Sequence, residues 1–133
     1  MELPTERFPY ELSGGQQQLT AILRAVIHEP DVLLLDEPFG SLDAAARVEL
    51  RESLQQIWRT LGATTVFVSH DVDEAIYLAD RVIALTGRPA RIRDNVAVEL
   101  PRPRSWDHAA HDWLVPIRDR LSPLPAGEPV DGS

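Results

Sequence analysis

The apolar residues between Ser13 and Leu85 alternate between helical spacing and short β-type runs. Three segments with apolar residues every third or fourth position predict amphipathic helices, and three short runs of aliphatic and β-branched residues predict buried strands. The helices are expected between Leu19 and Ile27, between Val48 and Leu61, and from Asp71 to about Ala79; the strands are expected at Val32–Leu35, Thr64–Val68 and Arg81–Leu85.

The ends of these elements carry residues that start and stop helices. Asp43 and Asp71 precede the second and third helices as expected N-caps, and Glu74 completes a capping-box pattern with Asp71. Pro30 and Gly62 follow the first two helices as expected stops. The order strand, helix, strand, helix, strand implies right-handed crossovers and a parallel sheet, so the predicted fold class is α/β.

Prolines divide the sequence, since seven of the eleven lie at Pro89 or later. The core domain is therefore predicted to span residues 1–87. Residues 88–121 are predicted to form a small hairpin that turns at Asp94–Asn95, followed by a helix that Pro116 kinks or splits. Residues 122–133 are predicted to be a disordered tail.

Composition excludes several kinds of site. All thirteen basic residues are arginine, so this chain holds no phosphate-binding loop that ends in Gly-Lys-Ser/Thr. The absence of cysteine excludes disulfides, thiolate metal sites and a cysteine nucleophile. The net charge of −8 argues against nucleic acid as a partner, because a phosphate backbone is bound by positively charged surfaces. The N-terminal residues show no export signal, and the longest aliphatic run is too short to cross a bilayer.

Polar residues follow two of the predicted strands directly. Asp36 and Glu37 come after the first strand, and His70 comes after the second. Ligands of parallel sheets bind beyond the carboxyl ends of the strands, so this trio could hold a metal, polarise a water or bond a phosphate. Taken singly, the acids could equally open a polar loop, and the histidine could be a surface or capping residue.

A second candidate site lies at the start of the first helix. The residues Ser13, Gly14, Gly15 and Gln16 would present backbone N–H groups, a hydroxyl and an amide to an anion. The alternative is that Ser-Gly-Gly forms an ordinary turn.

Four short motifs occur in order within 64 residues: LSGGQQQ at 12–18, LLLDEP at 33–38, SLD at 41–43 and SHDVDEA at 69–75. This series resembles the signature motif, Walker B motif, D-loop and switch-histidine loop of the ATP-binding-cassette (ABC) transporter ATPases. The later stretches, as far as Arg104, resemble the branch that energises import of nitrate, sulfonates or taurine. The resemblance implies part of a P-loop NTPase core of the RecA-like type.

The resemblance also implies a role for each candidate residue. Asp36 would hold Mg²⁺, Glu37 would polarise the attacking water, and His70 would contact the γ-phosphate of ATP. The signature residues 13–16 would bind ATP held by the opposite subunit, and Asp43 would lie at the dimer interface. ATP and Mg²⁺ are thus the implied cofactors.

The implied assembly is a dimer of nucleotide-binding subunits in the cytoplasm, peripheral to the inner face of the cell membrane. Its direct partner would be a transmembrane permease, and its indirect partner a substrate-binding protein. No nucleic-acid partner is expected. The family's phosphate-binding loop should precede Phe8, so this chain is expected to be the C-terminal portion of the domain. Alone, it is expected neither to bind Mg-ATP tightly nor to hydrolyse it.

Two departures from the family's sequence pattern and two alternative functions stay open at this point. Leu19 stands where signature helices usually carry a basic residue, and Leu23 stands where they carry a small one. One alternative is a non-catalytic remnant or interaction module that keeps only the shape of the fold. The other is a DNA-repair ABC ATPase, which the negative charge and the lack of a long heptad segment disfavour.

Overall fold

A computed structural model of the chain describes Glu6, residues 13–102, Arg104 and residues 111–122. The regular elements of this part confirm the α/β fold class and most of the predicted element positions. They are α1 Gly14–Val26, β1 Val32–Asp36, α2 Ala44–Thr60, β2 Thr64–Val68, α3 Val72–Leu78, β3 Arg81–Thr86, β4 Arg91–Ala97 and α4 His111–Leu121.

The chain divides into two compact units, one ending at His70 and the other beginning at Asp71. The predicted domain boundary after residue 87 lies inside the second unit, between two paired strands. Within the described residues, no helix is long and apolar enough to cross a membrane.

The first unit is built on the parallel pair of β1 and β2. Their register runs from Val32 opposite Thr64 to Asp36 opposite Val68. On one face, Leu33 is buried and Phe67 stacks on Trp58 of α2, with ring centroids 6.0 Å apart. This face forms the core of the unit together with α1 and α2, whose fully or nearly fully buried side chains are Leu19, Ile22, Leu50 and Leu54.

The prediction that the strands are buried on both faces is wrong for this chain. Side chains of a strand alternate between the two faces of its sheet, and α2 covers only one of them. The other face leaves four aliphatic side chains between 51% and 72% exposed: Val32, Leu34, Val66 and Val68.

Two predictions for the second unit are wrong: a third parallel strand, and a hairpin within residues 90–100. β3 pairs with β4 in antiparallel fashion, and β4 is one strand in which Asp94 and Asn95 lie in the middle. The chain reverses earlier than predicted, because Gly87 adopts a φ of +81° that glycine accommodates without a Cβ clash.

The apolar core of the second unit consists of Ile76, Val96, Val98 and Leu121. The last of these belongs to α4, which continues through Pro116. Of the two outcomes predicted at Pro116, the split is therefore wrong, and the kink stays a prediction. The apolar positions from Trp106 onward also predict this helix, and its residues before His111 lie outside the described residues, as do residues 123–133 of the predicted tail at 122–133.

Arginine–carboxylate pairs attach α4 to its unit. Arg118 donates from Nε and Nη2 to the two carboxylate oxygens of Asp73 in α3, at 2.7 Å each. Arg120 donates to both oxygens of Asp94 at 2.6 and 2.7 Å, and this guanidinium holds the pKa of Asp94 below its usual range. Two-point pairing fixes orientation as well as distance, so α4 is held against both α3 and β4.

The segment after β4 is fastened to the end of α3 by two arginines. Arg104 is only 8% exposed and donates to the carbonyl oxygens of Ile76 at 2.9 Å and Ala79 at 2.6 Å. Arg102 donates to the Leu78 carbonyl at 2.7 Å and pairs with Asp80. Burial lowers the pKa of Arg104, while the carbonyls at the negative end of α3 compensate its charge.

We expect Arg104→Met to lower the free energy of unfolding by about 2 kcal/mol or more, because several buried carbonyl acceptors lose a charged donor. Arg102→Met is the matched control. Its side chain is partly exposed, so its loss should cost about 1 kcal/mol or less. Urea unfolding followed by far-ultraviolet circular dichroism measures the free energy of unfolding of both variants. Equal stability of the two variants would contradict this account.

Candidate functional site

The parallel register of β1 and β2 brings the predicted catalytic residues to one edge of the sheet. Asp36 lies opposite Val68, so Glu37 and His70 both follow at the carboxyl ends of adjacent strands. The Glu37 N–H donates to the Val68 carbonyl at 2.9 Å, which extends the ladder by one bond. The Nδ1 atom of His70 contacts Oε1 of Glu37. The predicted approach of His70 to the acidic pair is confirmed for Glu37, while the catalytic roles stay predictions.

A tight turn fixes the direction in which Glu37 leaves the strand. The N–H of Gly40 donates to the Glu37 carbonyl at 3.1 Å, and Arg47 Nε donates to the Phe39 carbonyl at 3.1 Å. Phe39 is almost completely buried and anchors the turn in the core. The Glu37 carboxylate is thus attached to a rigid part of the unit.

Glu37 itself has a left-handed backbone, with a φ of +46°. Residues other than glycine, asparagine and aspartate rarely adopt this conformation, which costs on the order of 1–2 kcal/mol. Strain of this kind concentrates at functional sites, where side-chain placement outweighs local stability. The sequence gives no signal for it, because glutamate is not a residue type that indicates a left-handed turn.

The Glu37–His70 pair is open to solvent on the histidine side. The His70 side chain is 94% exposed and that of Glu37 is 34% exposed. A side-chain contact so accessible to solvent contributes little to stability. The arrangement therefore favours a ligand-facing role over a structural one.

The acidic edge has the donor chemistry for Mg²⁺ shared with a phosphate. Asp36 is exposed, and its carboxylate is a hard oxygen ligand. The described residues contain no group of three acidic or histidine side chains that would form a complete metal cage. Mg²⁺ commonly takes one or two carboxylates and completes its shell with water and substrate phosphates, so Asp36 fits that use.

The second candidate site is a reciprocal capping box. Ser13 Oγ accepts from the Gln16 N–H at 3.2 Å, and Gln16 Oε1 accepts from the Ser13 N–H at 3.1 Å. Ser13 is exposed at the N-terminus of a 13-residue helix, where the helix dipole favours an anion. Ser13 to Gln16 thus form a capped helix start, and the expected anion-binding role stays a prediction.

The first helix begins beside the loop that carries Asp43. A Cβ atom on Gly14 would lie 3.4 Å from Cδ2 of Leu42, so a larger residue would press on that loop. The neighbouring Gly15 is buried. Asp43 caps α2 by accepting from the Ala46 N–H at 2.8 Å, as predicted, and its expected role at a dimer interface stays a prediction.

Of the two departures in the first helix, the structure explains the one at Leu19. Leu19 is buried in the core of the first unit, and Leu23 is half-buried. An apolar residue at position 19 therefore contributes to packing, and no charge stands there near the capping box.

Residues 2–40 match the sequence model of the family described as ABC transporter. An aliphatic sulfonates import ATP-binding protein of Bacillus licheniformis is 51% identical over 100 residues, which cover 75% of this chain and 39% of that protein. An ABC transporter ATP-binding protein of Methanocaldococcus jannaschii is 50% identical over 99 residues, which cover 74% of this chain and 37% of that protein.

This chain belongs to the ABC transporter family of ATP-binding proteins. The dimeric structure of the bacterial ABC transporter cassette MJ0796 agrees, with a TM-score of 0.58 and 30% identity over 74% of this chain and 43% of that one. This chain spans less than half the length of these relatives. The assignment of Glu37 to a Walker B motif and of His70 to a switch-histidine loop stays a prediction.

We expect Glu37→Asn to raise the free energy of unfolding by about 1 kcal/mol, because asparagine tolerates the left-handed backbone better than glutamate. Glu37→Gln is the matched control, since it removes the charge but keeps the backbone cost. Thermal unfolding of both variants separates the two effects. A gain of equal size in Glu37→Gln would show that the carboxylate, and not the backbone, is the source of strain.

Proposed function

We propose that this chain contributes the signature, Walker B, D-loop and switch-histidine parts of an ATP-hydrolysing subunit of an ABC importer. The observation that carries the proposal is the contact between His70 and Glu37 at the carboxyl edge of β1 and β2. A carboxylate on a rigid turn beside an exposed imidazole suits a site that orients water against a phosphate.

Each residue at this edge has a defined task in the proposal. Glu37 orients the attacking water and accepts its proton, and the contact with Nδ1 of His70 holds the carboxylate in place. The imidazole itself reaches the γ-phosphate. Asp36 would hold Mg²⁺, which supplies charge neutralisation of the phosphates when bound.

The signature turn serves the neighbouring subunit in the proposal. Ser13, the N–H groups of Gly14 and Gly15, and Gln16 present donors at the positive end of α1 to the γ-phosphate of ATP bound by a second nucleotide-binding subunit. Asp43 begins α2 beside this turn and lies at the interface of the two subunits. This arrangement makes hydrolysis depend on a dimer.

The importer class is proposed from the relatives. Several proteins with 49–51% identity are named as ATP-binding proteins for import of aliphatic sulfonates, which supports a small anionic solute such as a sulfonate, taurine or nitrate. The proposed location is the cytoplasm at the inner face of the membrane, with a permease as direct partner and a substrate-binding protein as indirect partner.

A second candidate function is a non-catalytic member of the family. The observation in its favour is the absence of lysine, since the family's phosphate-binding loop uses one. Catalysis by this chain therefore requires a lysine from another stretch of polypeptide, and a chain that never meets one would only bind partners.

We expect Mg-dependent ATP hydrolysis when the chain is mixed with the part of the Bacillus licheniformis relative that precedes its signature motif. Glu37→Gln should reduce the rate at least about 100-fold, the usual effect of losing a general base. Glu29→Gln is the control and should leave the rate unchanged, because Glu29 is an exposed acid in the loop between α1 and β1.

The rate of steady-state phosphate release is measured for the mixtures that contain the wild type, Glu37→Gln and Glu29→Gln, and for the chain alone. Hydrolysis by the chain alone that is lost in Glu37→Gln would contradict the need for a second part. Equal rates for the wild type and Glu37→Gln in the mixture would contradict the role of Glu37. No hydrolysis in any mixture would favour the non-catalytic function.

A further inference from the structure

Two overlapping turns connect Glu37 to the start of α2. In the first turn, the Gly40 N–H donates to the Glu37 carbonyl at 3.1 Å. In the second, the Leu42 N–H donates to the Phe39 carbonyl at 3.2 Å. Each bond closes a β-turn, and we call residues 37–42 the double turn. Its first residue is the proposed general base, so the conformation of the double turn sets the direction of that carboxylate.

Arg47 in α2 donates a hydrogen bond to the double turn. Its Nε atom donates to the Phe39 carbonyl at 3.1 Å, and the residue is half-buried. Because the same carbonyl also accepts the Leu42 N–H, both of its lone pairs are engaged. The backbone N–H of Arg47 donates to the Asp43 carbonyl at 3.0 Å. One residue thus bonds the helix through its backbone and the double turn through its side chain.

The peptide group between Phe39 and Gly40 links Arg47 to Glu37. Its carbonyl accepts the Arg47 donor, and its N–H donates to the Glu37 carbonyl. A peptide group is planar, so a donor that fixes the direction of the carbonyl also fixes the direction of the N–H. Arg47 therefore orients the bond that closes the turn at Glu37.

The same peptide group lies against the Glu37 side chain. A Cβ atom added at Gly40 would lie 3.6 Å from the Glu37 Cβ and 4.0 Å from its Oε2. The carboxylate is therefore within van der Waals reach of the backbone that Arg47 orients. A rotation of this peptide group would change the space that is open to the carboxylate.

The double turn also maintains a conformation that glutamate disfavours. Glu37 has a φ of +46°, which is costly for a residue with a Cβ atom. Bonds at its N–H and its carbonyl oppose relaxation toward an ordinary φ. Loss of the Arg47 donor frees the peptide group that makes one of these bonds. The carboxylate can then turn away from the imidazole that it contacts.

We infer that Arg47 is a positioning residue for ATP hydrolysis. It acts through the Phe39 carbonyl, whose fixed direction keeps the Glu37 carboxylate in contact with Nδ1 of His70. Arg47 itself contacts neither the phosphate nor the attacking water. The inference rests on the proposed function, and it adds to the site a residue that lies outside the four sequence motifs.

The geometry requires a donor at one place in the side chain, and three substitutions separate this donor from the charge. In arginine Nε follows Cδ, and in glutamine the donor Nε2 follows Cδ in the same way. In lysine a methylene stands there and the charge lies one atom further along, while methionine has neither donor nor charge. Arg47→Gln keeps the donor, Arg47→Lys keeps the charge, and Arg47→Met keeps neither.

The first measurement needs no nucleotide. Nuclear magnetic resonance of the His70 ring in the full chain reports its contact with Glu37, and Glu37→Gln gives the resonance positions when the carboxylate is lost. Arg47→Met is expected to move the His70 resonances toward those of Glu37→Gln. Arg47→Gln should leave them near the wild-type positions, and Arg47→Lys should restore them less than Arg47→Gln does.

The second measurement is steady-state phosphate release in the mixture with the part of the Bacillus licheniformis relative that precedes its signature motif. Arg47→Met should lower kcat at least about tenfold and leave KM for Mg-ATP unchanged, because a displaced base slows the chemical step and not nucleotide binding. Arg47→Gln should recover most of the lost kcat.

Ile22→Val is the control for a general loss of stability. It removes one methylene from a buried side chain in the second half of α1, away from the double turn. Its midpoint of urea unfolding should fall, while the His70 resonances and kcat should stay at their wild-type values. Circular dichroism confirms that each variant keeps the fold.

The inference is overturned if Arg47→Met leaves the His70 resonances or kcat at wild-type values, if Ile22→Val moves them equally, or if Arg47→Gln behaves like Arg47→Met. If Arg47→Met fails to fold, Arg47→Gln and Arg47→Lys carry the test, and equal His70 resonances in these two would overturn it. Failure of the proposed function gives a different result. His70 resonances that depend on Arg47 in a mixture without hydrolysis would leave the positioning of Glu37 in place and remove the catalytic proposal.

Discussion

The parallel pairing of β1 with β2 is the constraint on which the rest of the first unit depends. Five pairs of residues in register, from Val32–Thr64 to Asp36–Val68, end both strands at the same edge. Parallel pairing also requires a long crossover, which α2 supplies while covering one face of the sheet. The contact between Glu37 and His70 follows from this register, because each residue comes directly after or shortly after its strand. A slip of one residue would exchange the two faces and separate the pair.

The local stability of the chain and its proposed chemistry conflict at one residue. Glu37 has a left-handed backbone, and the turn that holds it is anchored by Phe39 and Arg47. The same turn directs the carboxylate toward His70. The surrounding packing therefore maintains a conformation that glutamate alone would avoid, as expected where placement of a reactive group matters more than local energy.

Sequence reasoning predicted those features that depend on neighbouring residues. Asp43 and Asp71 cap helices, and the strands at 32–36 and 64–68 lie where their aliphatic and β-branched runs predicted them.

The features that sequence reasoning missed depend on residues distant in the sequence. The run Arg81–Leu85 looks like a parallel strand, yet it pairs with β4, because Gly87 reverses the chain directly after it. The aliphatic runs of β1 and β2 predicted strands buried on both faces, but in the described chain α2 covers one face and the other is exposed. The backbone at Glu37 has no signature in residue type at all.

The most direct test of this account is the response of the His70 imidazole to Mg-ATP, followed by nuclear magnetic resonance. The account predicts no shift of the His70 ring resonances when Mg-ATP is added to the chain alone. It predicts a saturable shift once the preceding part of the Bacillus licheniformis relative is present. The exposed His28 serves as internal reference in the same spectra. A saturable His70 shift in the chain alone, or none in a mixture that hydrolyses ATP, would contradict the claim that this edge is one part of a shared phosphate site.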